Sequence, residues 1–296
     1  VDVGALTSGL LTGLREGVEA ALIVAIILAY LDKTGNRRYF QRVWLGVGAA
    51  VVLSVALGVV LWVTIGGLPE PAEQVFEAIA MALAAGVVTW MLFWMRRVAG
   101  NIRGELHAAV DRTLTETSAW GLSILAFTAV IREGIETSLF LLGQAAAASS
   151  AESGAMAVLL GAFIGLLIAI GIGYGFYRGA QVINLRTFFR WTGVALIFIA
   201  AGLLSHAVHE LVEIGIITIG TSPAFDISGI LPHEGEGILA LIGSLLRALF
   251  GYTSQPEWIT FLTWLGYILI VLPLYLRPVR PADSAPRPVE GTVAGT

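Results

Sequence analysis

The sequence predicts an all-α membrane protein with seven transmembrane helices, six of them forming a 3+3 inverted repeat and the seventh standing outside it. Three observations carry this expectation. Hydrophobic residues make up 57% of the 296 positions and charged residues only 13%, whereas a soluble domain carries roughly 25% charged residues. Uninterrupted apolar runs of about 20 residues recur, long enough for a helix to cross a hydrocarbon core of about 30 Å. A charged octapeptide also recurs, at 15–22 and again at 132–139, with five of eight positions identical. The short alternating segments of a β-barrel are not the pattern here. With no cysteine, disulfide frameworks, thiolate metal sites and cysteine nucleophiles are excluded, so any metal is held by oxygen or imidazole.

In chain order, the apolar runs predict spans at 5–31, 43–66, 73–95, 118–147, 155–177, 191–212 and 258–276. The first run holds Arg15, Glu16 and Glu19 and follows no basic segment, which reads as a mature span rather than a cleaved signal peptide. Residues 1–95 form the first three-helix repeat, 96–117 a cytoplasmic linker and 118–212 the inverted second repeat. Residues 213–257 form an extracytoplasmic loop, in which 237–250, GILALIGSLLRALF, is too short to span and reads as an interfacial or re-entrant helix. The tail 277–296 lacks apolar periodicity and reads as a disordered cytoplasmic extension.

Orientation follows from the basic residues, which concentrate in cytoplasmic loops. Alternate connections hold Lys33, Arg37, Arg38 and Arg42; then Arg96, Arg97, Arg103 and Arg112; then Arg178, Arg186 and Arg190; then Arg277, Arg280 and Arg287. Of the 17 basic residues, only Arg15, Arg132 and Arg247 lie elsewhere. The protein is therefore expected to be multi-pass in the plasma (inner) membrane, N-terminus outside and C-terminus cytoplasmic, surrounded by lipid and with no nucleic-acid partner. The opposite loops carry Glu70, Glu73, Glu152, Asp226, Glu234, Glu236 and Glu257, an acidic face that raises the local cation concentration.

The repeat rests on three helix pairs. REGVEAAL at 15–22 returns as REGIETSL at 132–139, with five of eight positions identical and an offset of 117. LGVGAAVVLSVALGVVLW at 45–62 aligns with LGAFIGLLIAIGIGYGFY at 160–177 at an offset of 115, and AAGVVTW from Ala84 with AAGLLSH from Ala200 at 116. Three spans per unit is an odd number, so the second unit enters the membrane from the opposite side. Such inverted repeats belong mainly to transporters, with the site where the halves meet near the midplane.

Glu16 and Glu19 share one helical face, and Glu133 and Glu136 repeat them. Each lies near mid-span, where an ionised carboxylate costs a few kcal/mol unless it is paired or protonated. Gly17 and Gly134 are expected to let the first and fourth helices cross closely, bringing the pairs into a cage of up to eight carboxylate oxygens. Each motif carries one Arg and two Glu, so the two together are formally −2, which suits a multivalent hard cation. The alternative is structural: Arg15 and Arg132 bridge to the carboxylates and lock the helices.

A second constellation, His206, His209, Glu210 and Glu213, follows i, i+3, i+4 and i+7 at the outer end of the sixth span. It offers a receiving site for a transition metal or, equally, a polar helix end at the interface. Glu77 is the deepest of the outer stripe Glu70, Glu73 and Glu77 and the one expected to contribute. His233 with Glu234 and Glu236 is a third cation-binding possibility in the loop, and His107 reads as solvated. His206-Ala-Val-His209-Glu210 does not have the His-Glu-x-x-His order of a zinc protease, which argues against an intramembrane metalloenzyme. The same carboxylates also suit a permease for lead or manganese, or a metal sensor that binds without transporting.

At the two Arg-Glu-Gly-x-Glu motifs the sequence resembles the oxidase-dependent high-affinity iron permease family of fungal plasma-membrane permeases and bacterial EfeU-type transporters. LLRALFGY at 245–252 also looks like the family's loop before its last helix. Val18 and Ile135 stand where the family usually has Leu, an apolar exchange that leaves the ligands intact. The resemblance implies iron import as the function, iron as substrate with no permanent cofactor, and Glu16, Glu19, Glu133 and Glu136 as the translocating carboxylates completed by Arg15 and Arg132. It further implies a ferroxidase or a periplasmic iron-binding, peroxidase-like partner that supplies ferric ion.

Overall fold

The computed structural model describes residues 3–65, 72–98, 102–115, 120–148, 152–179, 184–232 and 237–277. Among them every regular element is helical, apart from an isolated bridge between Pro223 and Glu257. The first helix, α1 (Val3–Lys33), has buried residues along nearly its whole length, from Gly4 to Leu31, and forms the axis of the bundle. Its Gly, Ala, Ser and Thr positions let neighbours approach closely, as membrane helix packing requires. A turn through Gly35 and a short 3-10 segment, Arg37–Tyr39, lead out of it. There Arg37 pairs with Asp32 and holds that carboxyl below its ordinary range.

Next come α2 (Phe40–Ile65), α3 (Ala72–Val98) and α4 (Ile102–Thr115). They are followed by α5 (Gly121–Ala148), α6 (Glu152–Tyr177) and α7 (Leu185–Glu213). The last two are α8 (Ile238–Phe250) and α9 (Trp258–Leu276). Helices α2, α3, α6, α7 and α9 are long and apolar enough to cross a membrane. Val52 of α2, 70% exposed, and Ile170 of α6, 63% exposed, belong to apolar belts facing outward. A water-soluble monomer rarely leaves surface of that extent bare, so the molecule is a multi-pass membrane protein. Helices α1 and α5, of 31 and 28 residues, have length enough to cross. Their apolar windows are broken by the two charged motifs, which lie in the interior.

The main packing partners are α1 with α6, α2 with α5, and α3 with α7, while α1 and α5 meet at the centre and α9 lies on α7. At the end bearing Lys33 and Arg37, the basic end, Ile27, Leu31, Val43, Val110, Leu122 and Ala126 form an apolar cluster. Val110 comes from α4, which packs across α1 and α5. Tyr30 fixes it there by donating its hydroxyl to Asp111 at 2.6 Å and stacking on His107, so His107 is not simply solvated.

The stretch expected to be a linker, 96–117, thus contains a helix. Val110 and Leu106 supply an apolar face that is too short and too charged to stand out among the spans. Helix α7 starts at Leu185 rather than 191 because Asn184 caps it, its side chain accepting from the Thr187 amide at 3.3 Å. The short helix expected at 237–250 is α8; its 13 residues reach only about 20 Å, and it packs on α1 and α7. Gly251 ends it with φ 67°, and the missing side chain there admits Gly202 of α7. The predicted tail, from Pro278 onward, lies outside the described residues.

Candidate functional site

Helices α1 and α5 bring the charged motifs together in the middle of the molecule. Arg15 is 2% exposed, and Glu16, Glu19, Glu133 and Glu136 are all buried. Such groups persist in a low-dielectric interior only when they are paired. Arg15 Nη1 donates to Glu16 Oε1 at 2.5 Å and Nη2 lies 3.1 Å from Glu19 Oε1. On α5, Arg132 Nε donates to Glu136 Oε1 at 3.0 Å and is 3.9 Å from Glu133.

These pairings leave much of the carboxylate valence unused. One oxygen each of Glu16, Glu133 and Glu136 is buried without a hydrogen-bond partner among the described residues. One oxygen from each of Glu16, Glu19 and Glu133 can be chosen so that all three lie within 4.8 Å of one another. Two oxygens bound to one hard cation at about 2.1–2.5 Å are at most about 4.2–5 Å apart, so the three are close enough to share one cation. Glu136 is outside this group, held by Arg132. Three of the four predicted carboxylates are thus assembled, with the fourth beside them.

Gly17 and Gly134 do not sit at the α1–α5 crossing. A side chain at Gly17 would meet Ala169 and Leu166 of α6, and one at Gly134 would meet Ser54 of α2. The correction follows from helix geometry: neighbouring residues project about 100° apart, so a glycine next to Glu16 or Glu133 cannot share the face that points its carboxylate at the other motif.

Helix α3 contributes two residues with no charge to mark them. Met91 accepts a hydrogen bond from Arg15 Nη2 at 2.7 Å, and the Trp94 ring lies under the Arg132 guanidinium, 3.7 Å from its centre. Their spacing of three places both on one face. The signal in the sequence is present but weak, since Met and Trp are ordinary residues in an apolar helix.

A cavity of about 490 Å³ opens at the end of the bundle opposite Lys33, the acidic end. His206, His209, Glu257, Arg247, Ser8 and Gln144 are among its lining residues. The two imidazole rings lie 5.8 Å apart. His209 Nδ1 is 2.9 Å from Glu257 Oε1 and its Nε2 is 3.6 Å from Glu213 Oε1. Thr260 donates to Glu257 Oε2 at 3.0 Å. Glu257, in sequence only one of several acidic loop residues, is the carboxylate that faces His209, because it begins α9 and that helix packs on α7. Glu210 and Glu77 are half-buried on α7 and α3 and are not among the lining residues. Glu70, His233, Glu234 and Glu236 lie outside the described residues.

Apolar outer helices around buried carboxylates, with a polar cavity at one end, fit the class of membrane permeases. Residues 6–277 match the iron permease FTR1 family, and the chain belongs to that family. It is 36% identical over 263 residues to the ferrous iron permease EfeU of Escherichia coli O6:K15:H31, covering 88% of this chain and 92% of the relative. It is 34% identical over 254 residues to the protein of the same name from Yersinia pestis, covering 85% and 86%. No solved structure matches the chain.

Proposed function

We propose that the protein imports iron across the plasma membrane through Glu16, Glu19, Glu133 and Glu136, by alternating access of two inverted three-helix units. The observation that carries this reading is the buried convergence of Glu16, Glu19 and Glu133 with oxygens left unpaired. In this reading α1, α2, α3, α5, α6, α7 and α9 are the seven spans, and the basic loops favour a cytoplasmic position for the end bearing Lys33, with the cavity outside. The packing supports the repeat. Exchanging α1 with α5 and α2 with α6 turns the α1–α6 contact into α5–α2, and both are present. The match extends to residues: Gly46 of α2 lies against Ser123 and Phe127, and Gly161 of α6 against Leu6 and Leu10. These are the positions related by the offsets of 115 and 117.

Iron captured by His206, His209 and Glu257 passes to the carboxylates and leaves toward the basic end as the halves rock. Protonation of the emptied carboxylates resets the site. Arg15 and Arg132 hold the Glu side chains while iron is absent. In proteoliposomes, Glu16→Ala and Glu133→Ala each reduce iron uptake to the level of protein-free vesicles; uptake near that of the unaltered protein in both would remove the carboxylates from the pathway.

Two readings of the ion's charge are supported by different observations. A divalent ion brings the formal −2 of the paired motifs to zero, which favours ferrous iron in a low-dielectric site, and the relatives are named ferrous iron permeases. The motif resemblance favours ferric ion delivered by a ferroxidase or a periplasmic peroxidase-like partner. Uptake with iron held reduced by ascorbate, compared with ferric citrate, separates them: the ferrous reading requires transport with ascorbate and no partner added.

A further inference from the structure

Between the outer cavity and the carboxylates lies a short stretch of neutral oxygens. Gln144 of α5 lines the cavity and is 5% exposed; its Nε2 donates to Thr12 Oγ1 at 2.7 Å, and its Oε1 has no partner among the described residues. Ser8, another lining residue, donates its own hydroxyl to the Ala5 carbonyl at 2.9 Å, leaving its lone pairs free to accept. Ser8, Thr12 and Glu16 are spaced i, i+4 and i+8 and so lie along one face of α1, each about 6 Å further along the axis. An amide oxygen buried with nothing to bond is destabilising. Gln144 connects the cavity wall, through its bond to Thr12, to the face of α1 that carries Glu16 one turn further on.

The fold itself does not call for these polar groups. Under the offset of 117 that relates α1 to α5, Ser8, Thr12 and Gln144 correspond to Leu125, Ala129 and Ile27. Ile27 is fully buried in the apolar cluster at the basic end, with Leu125 packed against it. Apolar side chains therefore satisfy the same packing in the other half, and the polar set is confined to the side that bears the cavity.

We infer that the Gln144 amide oxygen, with the Thr12 and Ser8 hydroxyls, forms a transient cation subsite where the ion exchanges part of its water for neutral oxygens before reaching Glu16. The inference rests on the proposed transport route and inverted repeat. Amide and hydroxyl oxygens are suitable ligands for a hard cation. Being uncharged, they hold it less tightly than the carboxylates below, as a step on the way inward requires.

The test is the double variant Gln144→Leu/Thr12→Val, with Gln144→Leu alone beside it. Replacing both partners of a buried hydrogen bond by apolar groups of the same shape is nearly neutral for stability. The melting temperature in detergent is therefore expected to hold, as is the number of iron ions bound at equilibrium by the purified protein. Initial iron uptake into proteoliposomes, run in parallel with ascorbate-reduced iron and ferric citrate, is expected to fall by about tenfold, equivalent to about 1.4 kcal/mol on the barrier. Unchanged uptake in both variants would overturn the subsite. Lower uptake accompanied by a lower melting temperature and lost equilibrium binding would also overturn it, because the pair would then be a helix clamp. Glu16→Gln reports separately on the route: if it binds and transports iron normally, the carboxylate reading fails, whatever the result at Gln144.

Discussion

The two motif arginines have the same sequence context and different surroundings. Arg15 is fully enclosed, with Glu16, Glu19 and the Met91 sulfur around it. Arg132 is about one-third exposed and rests on the Trp94 ring. Removing one partner of a buried ion pair typically costs about 3–5 kcal/mol, because the remaining charge is left uncompensated. Arg15→Met is therefore expected to lower stability by about that amount, as measured by thermal unfolding in detergent. Trp94→Leu removes the cation–π contact with Arg132 and the stacking on Trp90, leaves no buried charge unpaired, and is expected to cost less, about 0.5–2 kcal/mol. A larger loss for Trp94→Leu than for Arg15→Met would reverse the order of burial described for the two guanidinium groups. At this scale the sequence reveals the carboxylates because charge in the middle of an apolar run is conspicuous. Met91, Trp94, Thr12 and Gln144 are inconspicuous because nothing in their composition separates them from other residues of a membrane helix. Gln144 lies eleven positions beyond Glu133, three helical turns along the same face, a relation that acquires meaning only once Glu133 is known to point inward.

Glycine determines how closely the helices approach. Gly161 of α6 sits so close to the Leu6 carbonyl of α1 that a side chain there would collide with backbone, whereas Gly171 on the same helix has open space around it. Gly161→Ala must push α1 and α6 apart and is expected to destabilise by about 1–3 kcal/mol. Gly171→Ala relieves only the glycine penalty within a helix and is expected to be neutral or stabilising by about 0.5–1 kcal/mol. Melting temperatures of the two purified variants, read against the unaltered protein, check the contrast; equal shifts would mean that the α1–α6 contact does not set the spacing. The spans themselves are legible because apolar length is a strong signal, and α9 begins and ends where the run predicts, at Trp258 and Leu276. Helix α4 is not, because a 14-residue segment that packs on one side only looks like a charged linker until α1 and α5 are placed beneath it. The motif glycines are legible as packing residues, but their partners are not. A helix has several faces, and only tertiary structure assigns Gly17 to α6 and Gly134 to α2.

Across the whole molecule, the two ends differ more than a pair of related halves requires. The acidic end holds a polar cavity reaching Ser8 and Gln144, and the basic end is closed by Ile27, Leu31, Leu122 and Val110 under α4. A polar cavity at one end and an apolar cluster at the other give the molecule two unlike ends, so on the proposed route the direction of import depends on which end faces outward. The absence of cysteine makes this testable without first removing native thiols. Lys33→Cys puts a thiol at an exposed position of the basic end, and Ile219→Cys puts one in the acidic-end loop, where Ile219 is 82% exposed. With a membrane-impermeant maleimide applied to intact cells or spheroplasts, the Ile219→Cys protein is expected to label fully and the Lys33→Cys protein only after lysis. Ser244→Cys, on the cavity wall, is expected to label from outside, and the labelled protein to lose iron uptake because the added group occupies the vestibule. Labelling of Lys33→Cys in intact cells would invert the topology and make the cavity an exit. If blocking Ser244→Cys left uptake unchanged, the cavity would not lie on the route by which iron reaches Glu16.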